Sequence, residues 1–104
     1  MIARRWRGLA RSEEADNYLR HLQNDTFPQL SQIAGFVSAT ILRRTIAQGV
    51  EFVIVTKWQS MAAISQFAGE SEHLAVVPPA VQAMMIEYDA MVAHYEIVDT
   101  YRPV

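Results

Sequence analysis

The sequence predicts an α+β fold in which a four-stranded antiparallel sheet carries helices on one face, in the ferredoxin-like order βαββαβ. Two observations support this prediction. Segments rich in aromatic, β-branched or alternating apolar residues, which favour extended backbone, occur at 2–9, 35–45, 49–58 and 87–101. Between them, Ser12 and Ser60 each precede a run in which apolar residues recur every three or four positions, as in a helix with one buried face.

Length and composition restrict the class of protein. The chain has 104 residues, of which 51% are hydrophobic and 19% charged, and this composition fits one folded domain over residues 1–104. A net charge of −2 gives no general attraction to nucleic acid or anionic lipid. No run approaches the roughly 20 apolar residues of a membrane span. We therefore expect a cytoplasmic protein with no nucleic-acid or membrane partner.

The first predicted strand, residues 2–9, mixes apolar and basic side chains and suits a sheet with one covered face. Its arginines, Arg4, Arg5 and Arg7, are expected to extend towards solvent and pair with carboxylates on neighbouring strands. A helix is predicted to start at Ser12 as N-cap, and Asn24-Asp25 and Pro28 are expected to end it.

Residues 35–45 and 49–58 are close enough in sequence to form an antiparallel hairpin. Ser60 is the predicted N-cap of a second helix, and Gly69 stands where a left-handed residue commonly ends one. The less regular stretch at 70–79 is predicted to form a pocket rim. Pro79 is a favourable first residue for a short additional helix that extends to Met85.

The segment 87–101 predicts the fourth strand. Strict alternation places Met91 and Tyr95 together on one face, which is expected to be the core, where the Tyr95 hydroxyl needs a ligand or a backbone carbonyl as partner. His94 and Glu96 then lie on the opposite face, which a partner subunit is expected to cover. Oligomerisation would add the burial that a small chain without disulfides needs, since the sequence contains no cysteine.

Four stretches together resemble small domains of the antibiotic biosynthesis monooxygenase family, namely residues 1–8, 51–60, 67–69 and 94–98. The resemblance extends from residue 1 to about residue 98. It implies a homodimeric α+β barrel in which the sheets of two subunits face each other, with a small-molecule pocket between sheet and helices. It also implies one of two activities: oxidation of electron-rich polyketide phenols by molecular oxygen without a cofactor, or binding and degradation of haem.

The haem-degrading members of that family use an asparagine on the first strand, a tryptophan on the second helix and a histidine further along. Aligned on Trp58, this sequence has Arg5 or a neighbour, Phe67 and Val77 at those places, and His73 is displaced from the last of them. The resemblance therefore favours the reaction without a cofactor, and none is predicted. The histidines are far apart and show no metal-binding spacing, so no metal site is predicted either.

His73 is the predicted catalytic residue, because an imidazole near a pocket mouth titrates near neutral pH and is suited to accept a proton. The alternative is a solvated loop histidine. The predicted substrate-binding residues are Trp6, Phe36, Trp58, Phe67, Met84 and Tyr95. Apolar residues at such spacings are more often core than pocket, and both interpretations stay open.

Three functions of different classes follow. The first is a monooxygenase without a cofactor that acts on an aromatic or polyketide-like small molecule. The second is a small-molecule-binding or stress-response protein with the same fold and no turnover, since a fold does not determine a function. The third, which the sequence favours least, is a haem-binding protein.

Overall fold

The central strand β1 (Ile2–Ala10) organises a five-stranded antiparallel sheet in the computed structural model, which describes residues 1–104. One edge of β1 pairs along its full length with β3 (Gly49–Trp58), from Ile2 opposite Trp58 to Ala10 opposite Val50. The strand β2 (Phe36–Ile46) pairs with β3 as the predicted hairpin. The first three strands and the ferredoxin-like α+β arrangement are therefore confirmed.

Two short strands share the other edge of β1, so the single predicted strand over 87–101 is wrong. The strand β4 (Met85–Tyr88) pairs with the end of β1, and β5 (Ala93–Glu96) pairs with its beginning. Between them the backbone turns away from a regular ladder, because the amide of Val92 donates to the carbonyl of His73 at 2.8 Å. The edge of β1 opposite β3 is therefore paired with two short strands, β4 and β5, in place of one continuous strand.

The predicted faces of the last strand are inverted. His94 lies opposite Arg4 and Tyr95 lies opposite Ala3, and directly opposed residues in antiparallel strands point to the same face. His94 therefore faces the helices, whereas Tyr95 lies on the helix-free face and is 55% exposed. Alternation correctly placed His94 and Glu96 on one face, but pairing with β1 decides which face is covered.

The first helical region is longer than predicted. A 3₁₀ turn at Ser12–Glu14 leads into α1 (Ala15–His21), and Ser12 makes no capping hydrogen bond. The chain does not end its helix at Asn24-Asp25 but continues through a π-helical turn, Leu22–Thr26, into α2 (Phe27–Leu30). Pro28 lies in the first turn of α2, where its missing amide hydrogen is tolerated.

The second predicted helix is confirmed as α3 (Met61–Ala68). The Ser60 hydroxyl accepts a hydrogen bond from the Ala63 amide at 3.2 Å, and Gly69 ends the helix with a positive φ of 74°. The short helix predicted to begin at Pro79 is also present, as α4 (Pro79–Met84). No helix in the protein combines the length and the apolar character that crossing a membrane requires.

The helix-free face of the sheet carries a linked set of charges. Glu51 accepts hydrogen bonds from Arg7 at 2.7 Å and from Arg44 at 2.6 Å, and Arg7 also contacts Glu87 at 3.3 Å. The prediction that the β1 arginines pair with neighbouring carboxylates is confirmed for Arg7. The hydrogen bonds from Arg44 and Arg7 lower the pKa of Glu51 to about 2.

Replacing Glu51 with Gln should lower the free energy of unfolding at neutral pH by removing both charged hydrogen bonds. Because folding lowers the pKa of Glu51 from 4.5 to about 2, its contribution is present above pH 4.5 and is lost as pH falls towards 2. Urea denaturation at several pH values should therefore show the wild type and Glu51→Gln converging on acidification. A difference that does not change with pH would contradict this interpretation. Glu87→Gln is the matched control, because Glu87 is largely exposed and makes one longer contact.

Candidate functional site

A cavity in two connected chambers lies between the sheet and the helices. The chamber bordered by Ile54 and Thr56 of the sheet, called the inner chamber, has a volume of about 80 Å³. The other, called the outer chamber, has a volume of about 340 Å³. The residues that line both are Trp6, Tyr18, Leu22, Thr26, Phe67 and Val76. Small-molecule sites are commonly of this size and are mostly apolar with a few polar groups, so the cavity is the candidate functional site.

The wall draws residues from most elements of the fold, among them β1, the π-helical turn and the segment before α4. Alternation along β1 points Arg4 and Trp6 towards the helices. The π-helical turn Leu22–Thr26 contributes both of its end residues, and such turns are frequent at functional sites. The segment predicted as a pocket rim contributes its last residues, Val76, Val77 and Pro78, to the outer chamber.

Trp6 and Tyr18 form the aromatic part of the wall. The Trp6 indole Nε1 donates to the Asp89 carbonyl at 2.9 Å, and its ring centroid lies 6.2 Å from that of Tyr18. Tyr18 packs edge-on against Phe52 at 4.9 Å, while its hydroxyl makes no hydrogen bond to the protein. Burial raises the pKa of Tyr18, so the hydroxyl stays protonated and can donate to a ligand.

Arg4 lies in the wall of the inner chamber and is only 5% exposed. Its Nη1 donates to the Glu72 carbonyl at 2.6 Å and its Nη2 to the Leu74 carbonyl at 3.0 Å. The guanidinium also lies 5.6 Å from the ring centroid of Phe67, within cation–π range. Burial lowers the pKa of Arg4. The prediction that Arg4 extends to solvent and pairs with a carboxylate is therefore wrong.

His94 is kept neutral by burial and by its contact with Arg4. Its Nε2 lies 2.9 Å from Nη1 of Arg4, and because an arginine can only donate, Nε2 must accept and the proton must be on Nδ1. Burial, with further contributions from Arg4 and His73, lowers the pKa of His94. His94 is thus a support for the arginine on the helix side of the sheet rather than an interface residue.

The outer chamber has its own polar group. His21 and Asp25 both line it, and Nδ1 of His21 lies 3.3 Å from a carboxylate oxygen of Asp25. A carboxylate on one ring nitrogen orients an imidazole and leaves the other nitrogen free to accept a proton. This pair can therefore serve as a general base for a ligand in the outer chamber.

Of the seven predicted site residues, two line the cavity, three belong to the core and two lie outside the cavity wall. Trp6 and Phe67 line both chambers. Trp58 is fully buried behind the wall, with its ring centroid 6.1 Å from that of Phe67 and 5.2 Å from that of Phe36, and Met84 packs on the main core cluster.

The other two predicted residues lie outside the cavity wall. Tyr95 is on the helix-free face, so the expectation that it points into the core is wrong. His73 is exposed, and its ring centroid is 6.2 Å from that of His94. The structure thus brings two of the seven predicted residues, Trp6 and Phe67, together at the cavity.

Sequence reasoning missed Arg4, Tyr18, His21 and Asp25 as cavity residues. A local signal existed for His21 and Asp25, because residues four apart on a helix are neighbours. Tyr18 belongs to the apolar stripe of the first helix, a pattern that does not distinguish a core residue from a cavity residue. For Arg4 the sequence contains no distinguishing signal, since it is one of three arginines within four positions.

Comparison with solved structures assigns the fold. Similar chains include a candidate antibiotic biosynthesis monooxygenase from Bacillus cereus, with a TM-score of 0.70, 16% identity and coverage of 100% of this chain and 97% of the other. A monooxygenase from Streptomyces coelicolor in complex with nanaomycin D has a TM-score of 0.72, 13% identity and coverage of 99% and 92%. A haem degrader from Mycobacterium tuberculosis with two haems in its active site has a TM-score of 0.60, 16% identity and coverage of 98% and 100%.

The protein therefore has the fold of the antibiotic biosynthesis monooxygenases, as the sequence resemblance implied. At these identities the likeness establishes the fold alone. A scan against protein-family models and a search of curated proteins found no match. Within the structure, no group of three or more histidine, aspartate or glutamate side chains is placed to hold a metal ion.

Gly8 sets the position of the Trp6 ring. A Cβ atom at Gly8 would lie 2.4 Å from Cη2 of Trp6 and 3.0 Å from the sulfur of Met85. Gly8→Ala should therefore displace the indole from the cavity wall and lower the free energy of unfolding by about 1–3 kcal/mol, as overpacking usually does. Urea denaturation and tryptophan emission measure both effects. Ser38→Ala, at an exposed strand position, is the control, and equal stability of the two variants would contradict the close contact.

Proposed function

We propose that the protein is a monooxygenase that needs no cofactor and acts on an aromatic or polyketide-like small molecule. The observation that carries this proposal is the cavity itself. Its wall combines flat aromatic rings, from Trp6 and Phe67, with a few polar groups and lies in a fold shared with solved monooxygenases. Such a wall suits a planar, electron-rich ligand, because aromatic rings pack well against one another.

The reaction would draw its electrons from the substrate. Loss of a proton from an activated CH₂ group beside a phenolic ring leaves a delocalised anion that reacts with molecular oxygen. One oxygen atom becomes the carbonyl oxygen of a new C=O group and the other leaves as water, so that CH₂ and O₂ give C=O and H₂O. The protein's contribution would be to bind the substrate, remove the proton and exclude bulk water.

Two histidines are candidates for the proton acceptor. His73, expected from the sequence, is close to the Arg4 and His94 pair but is exposed outside the wall. His21 lines the outer chamber and is oriented by Asp25. Geometry favours His21, since a base must come within hydrogen-bond reach of the proton it removes.

The binding-protein alternative has the same cavity without turnover, and it predicts affinity with no oxygen uptake. Haem binding is supported less. At the positions where the haem-degrading relatives carry tryptophan and histidine, this chain has Phe67 and Val77, which are both in the wall of the outer chamber. Neither side chain can coordinate iron.

We also propose a homodimer in which the helix-free faces of two sheets meet. That face exposes apolar side chains next to its charge network, including Leu42, which is 52% exposed, and half-buried Val53 opposite it. Tyr95 adds a large ring to the same face. Exposed apolar surface on a small sheet commonly marks an interface.

The purified, metal-free protein is expected to consume oxygen above the uncatalysed rate in the presence of an anthrone, which carries the activated CH₂ group that the proposed step requires. An oxygen electrode measures uptake, and a parallel haem titration monitors the Soret band. Uptake without a Soret change supports the monooxygenase. Ligand binding without uptake would favour the binding protein, and a Soret band that saturates would favour haem.

The variants His21→Ala and His73→Ala, measured in the same oxygen-uptake assay, distinguish which of the two histidines accepts the proton. Removing the base should lower kcat by about 10²-fold or more, while the other variant, which serves as its matched control, keeps nearly full activity. Full activity in His21→Ala together with a loss in His73→Ala would restore the residue expected from the sequence. Full activity in both would exclude His21 and His73 as the base.

Sedimentation at micromolar concentration should show a dimer of the wild-type chain. Leu42→Glu places a charge on the helix-free face and should shift the protein to monomer, because an unpaired charge in an apolar interface is costly. Ala62→Glu, on the exposed surface of α3, adds the same charge on the helix side and should leave the dimer intact. A folded wild-type monomer would contradict the facing-sheet arrangement.

A further inference from the structure

Arg4 is a buried charge that forms no ion pair, and the carboxylate of Glu72 acts on it only from beyond ion-pair distance. No carboxylate lies within ion-pair distance of its guanidinium, and its hydrogen bonds go to two backbone carbonyls and to neutral His94. The four ion pairs that arginines form with carboxylates belong to Arg7, Arg43 and Arg44. Keeping a cation buried in this way is costly unless an anion joins it.

The guanidinium also has unused donors. Three of its five N–H groups have protein partners, two on Nη1 and one on Nη2. The Nε–H and one Nη2–H remain. Because no inaccessible side-chain nitrogen lacks a partner, Nε is accessible, and Arg4 belongs to the wall of the inner chamber.

The cavity is electrically polarised along its length. Arg4 is the only arginine or lysine in the wall of either chamber, and it lies in the inner one. The carboxylate of Asp25 lies in the outer chamber wall. The remaining inner wall is mostly apolar, with the free Tyr18 hydroxyl as a further donor. A ligand with one negatively charged end is therefore oriented with that end towards Arg4 in the inner chamber.

We propose that Arg4 binds an ionised oxygen of an aromatic ligand, a phenolate, enolate or carboxylate, while the ring packs between Trp6 and Phe67. For the substrate this inference rests on the proposed function: the same contact stabilises the anion formed when the proton leaves, and so makes its removal easier. Binding of the anion itself needs no turnover. Arginine suits this task because its planar fork donates two parallel hydrogen bonds to an oxyanion.

The first test uses 2-naphthol, whose phenolate has its own absorbance. An apolar cavity alone would raise the apparent pKa of the bound phenol, whereas a nearby cation lowers it by about 1–3 units. Titration of 2-naphthol with excess wild-type protein should therefore show a lowered pKa. A raised or unchanged pKa, or failure of the probe to bind, would overturn the role of Arg4 towards a phenolate or enolate.

The second test compares a charged ligand with a neutral ligand of the same shape. By tryptophan fluorescence the wild type should bind 2-naphthoate at least about tenfold more tightly than 2-naphthamide. Arg4→Gln should bind the two equally, with affinity for the amide retained, which a merely structural role of Arg4 would not predict. Arg11→Gln removes the same charge from an exposed position and should keep the preference. If Arg4→Gln does not fold, the wild-type 2-naphthol titration decides.

These results are independent of oxygen uptake. A preference for the anion without uptake would support the role of Arg4 and reject the monooxygenase. Uptake without any preference for the anion, and with a raised pKa of bound 2-naphthol, would leave the monooxygenase and overturn the role of Arg4. A preference for 2-naphthoate without a lowered pKa of 2-naphthol would restrict the site to carboxylates and overturn its role towards a phenolate or enolate.

Discussion

Hydrogen bonding of β1 on both edges is the constraint on which the other features depend. Its nine residues pair with β3 on one side and with β4 and β5 on the other. Once that register is set, alternation along β1 places the side chains of Arg4 and Trp6 in the cavity wall and that of Arg7 on the helix-free face. A slip of one residue would exchange these roles, so the cavity and the charge network are consequences of the same ladder.

The parts of the fold that could be predicted are those with local signals. β2, β3 and α3 follow from β-branched runs, a short connection and the pair of caps at Ser60 and Gly69. The C-terminal strand could not be predicted in the same way, because both of its possible faces carry apolar residues, Met91 and Tyr95 on one and Val92 on the other. Only pairing with β1 distinguishes them, and that pairing is not encoded locally.

The cavity could be predicted in part for a similar reason. Aromatic residues at Trp6 and Phe67 signal a pocket or a core equally well, and the structure assigns Trp58 and Phe36 to the core behind that wall. Burial of Arg4 depends on carbonyls that are about 70 positions away in the chain. Such a contact leaves no trace in the sequence around the arginine, so the most polar feature of the inner chamber was the least predictable.

The divided edge of the sheet also has a consequence for motion. Residues 89–92 separate β4 from β5, and they include Val92 of the inner wall and the carbonyl of Asp89 that holds Trp6. Short paired segments open locally at a lower free energy than a long uninterrupted ladder such as β1 with β3. Fluctuations that admit or release a ligand can therefore occur at this edge while the central strand pair stays protected from hydrogen exchange.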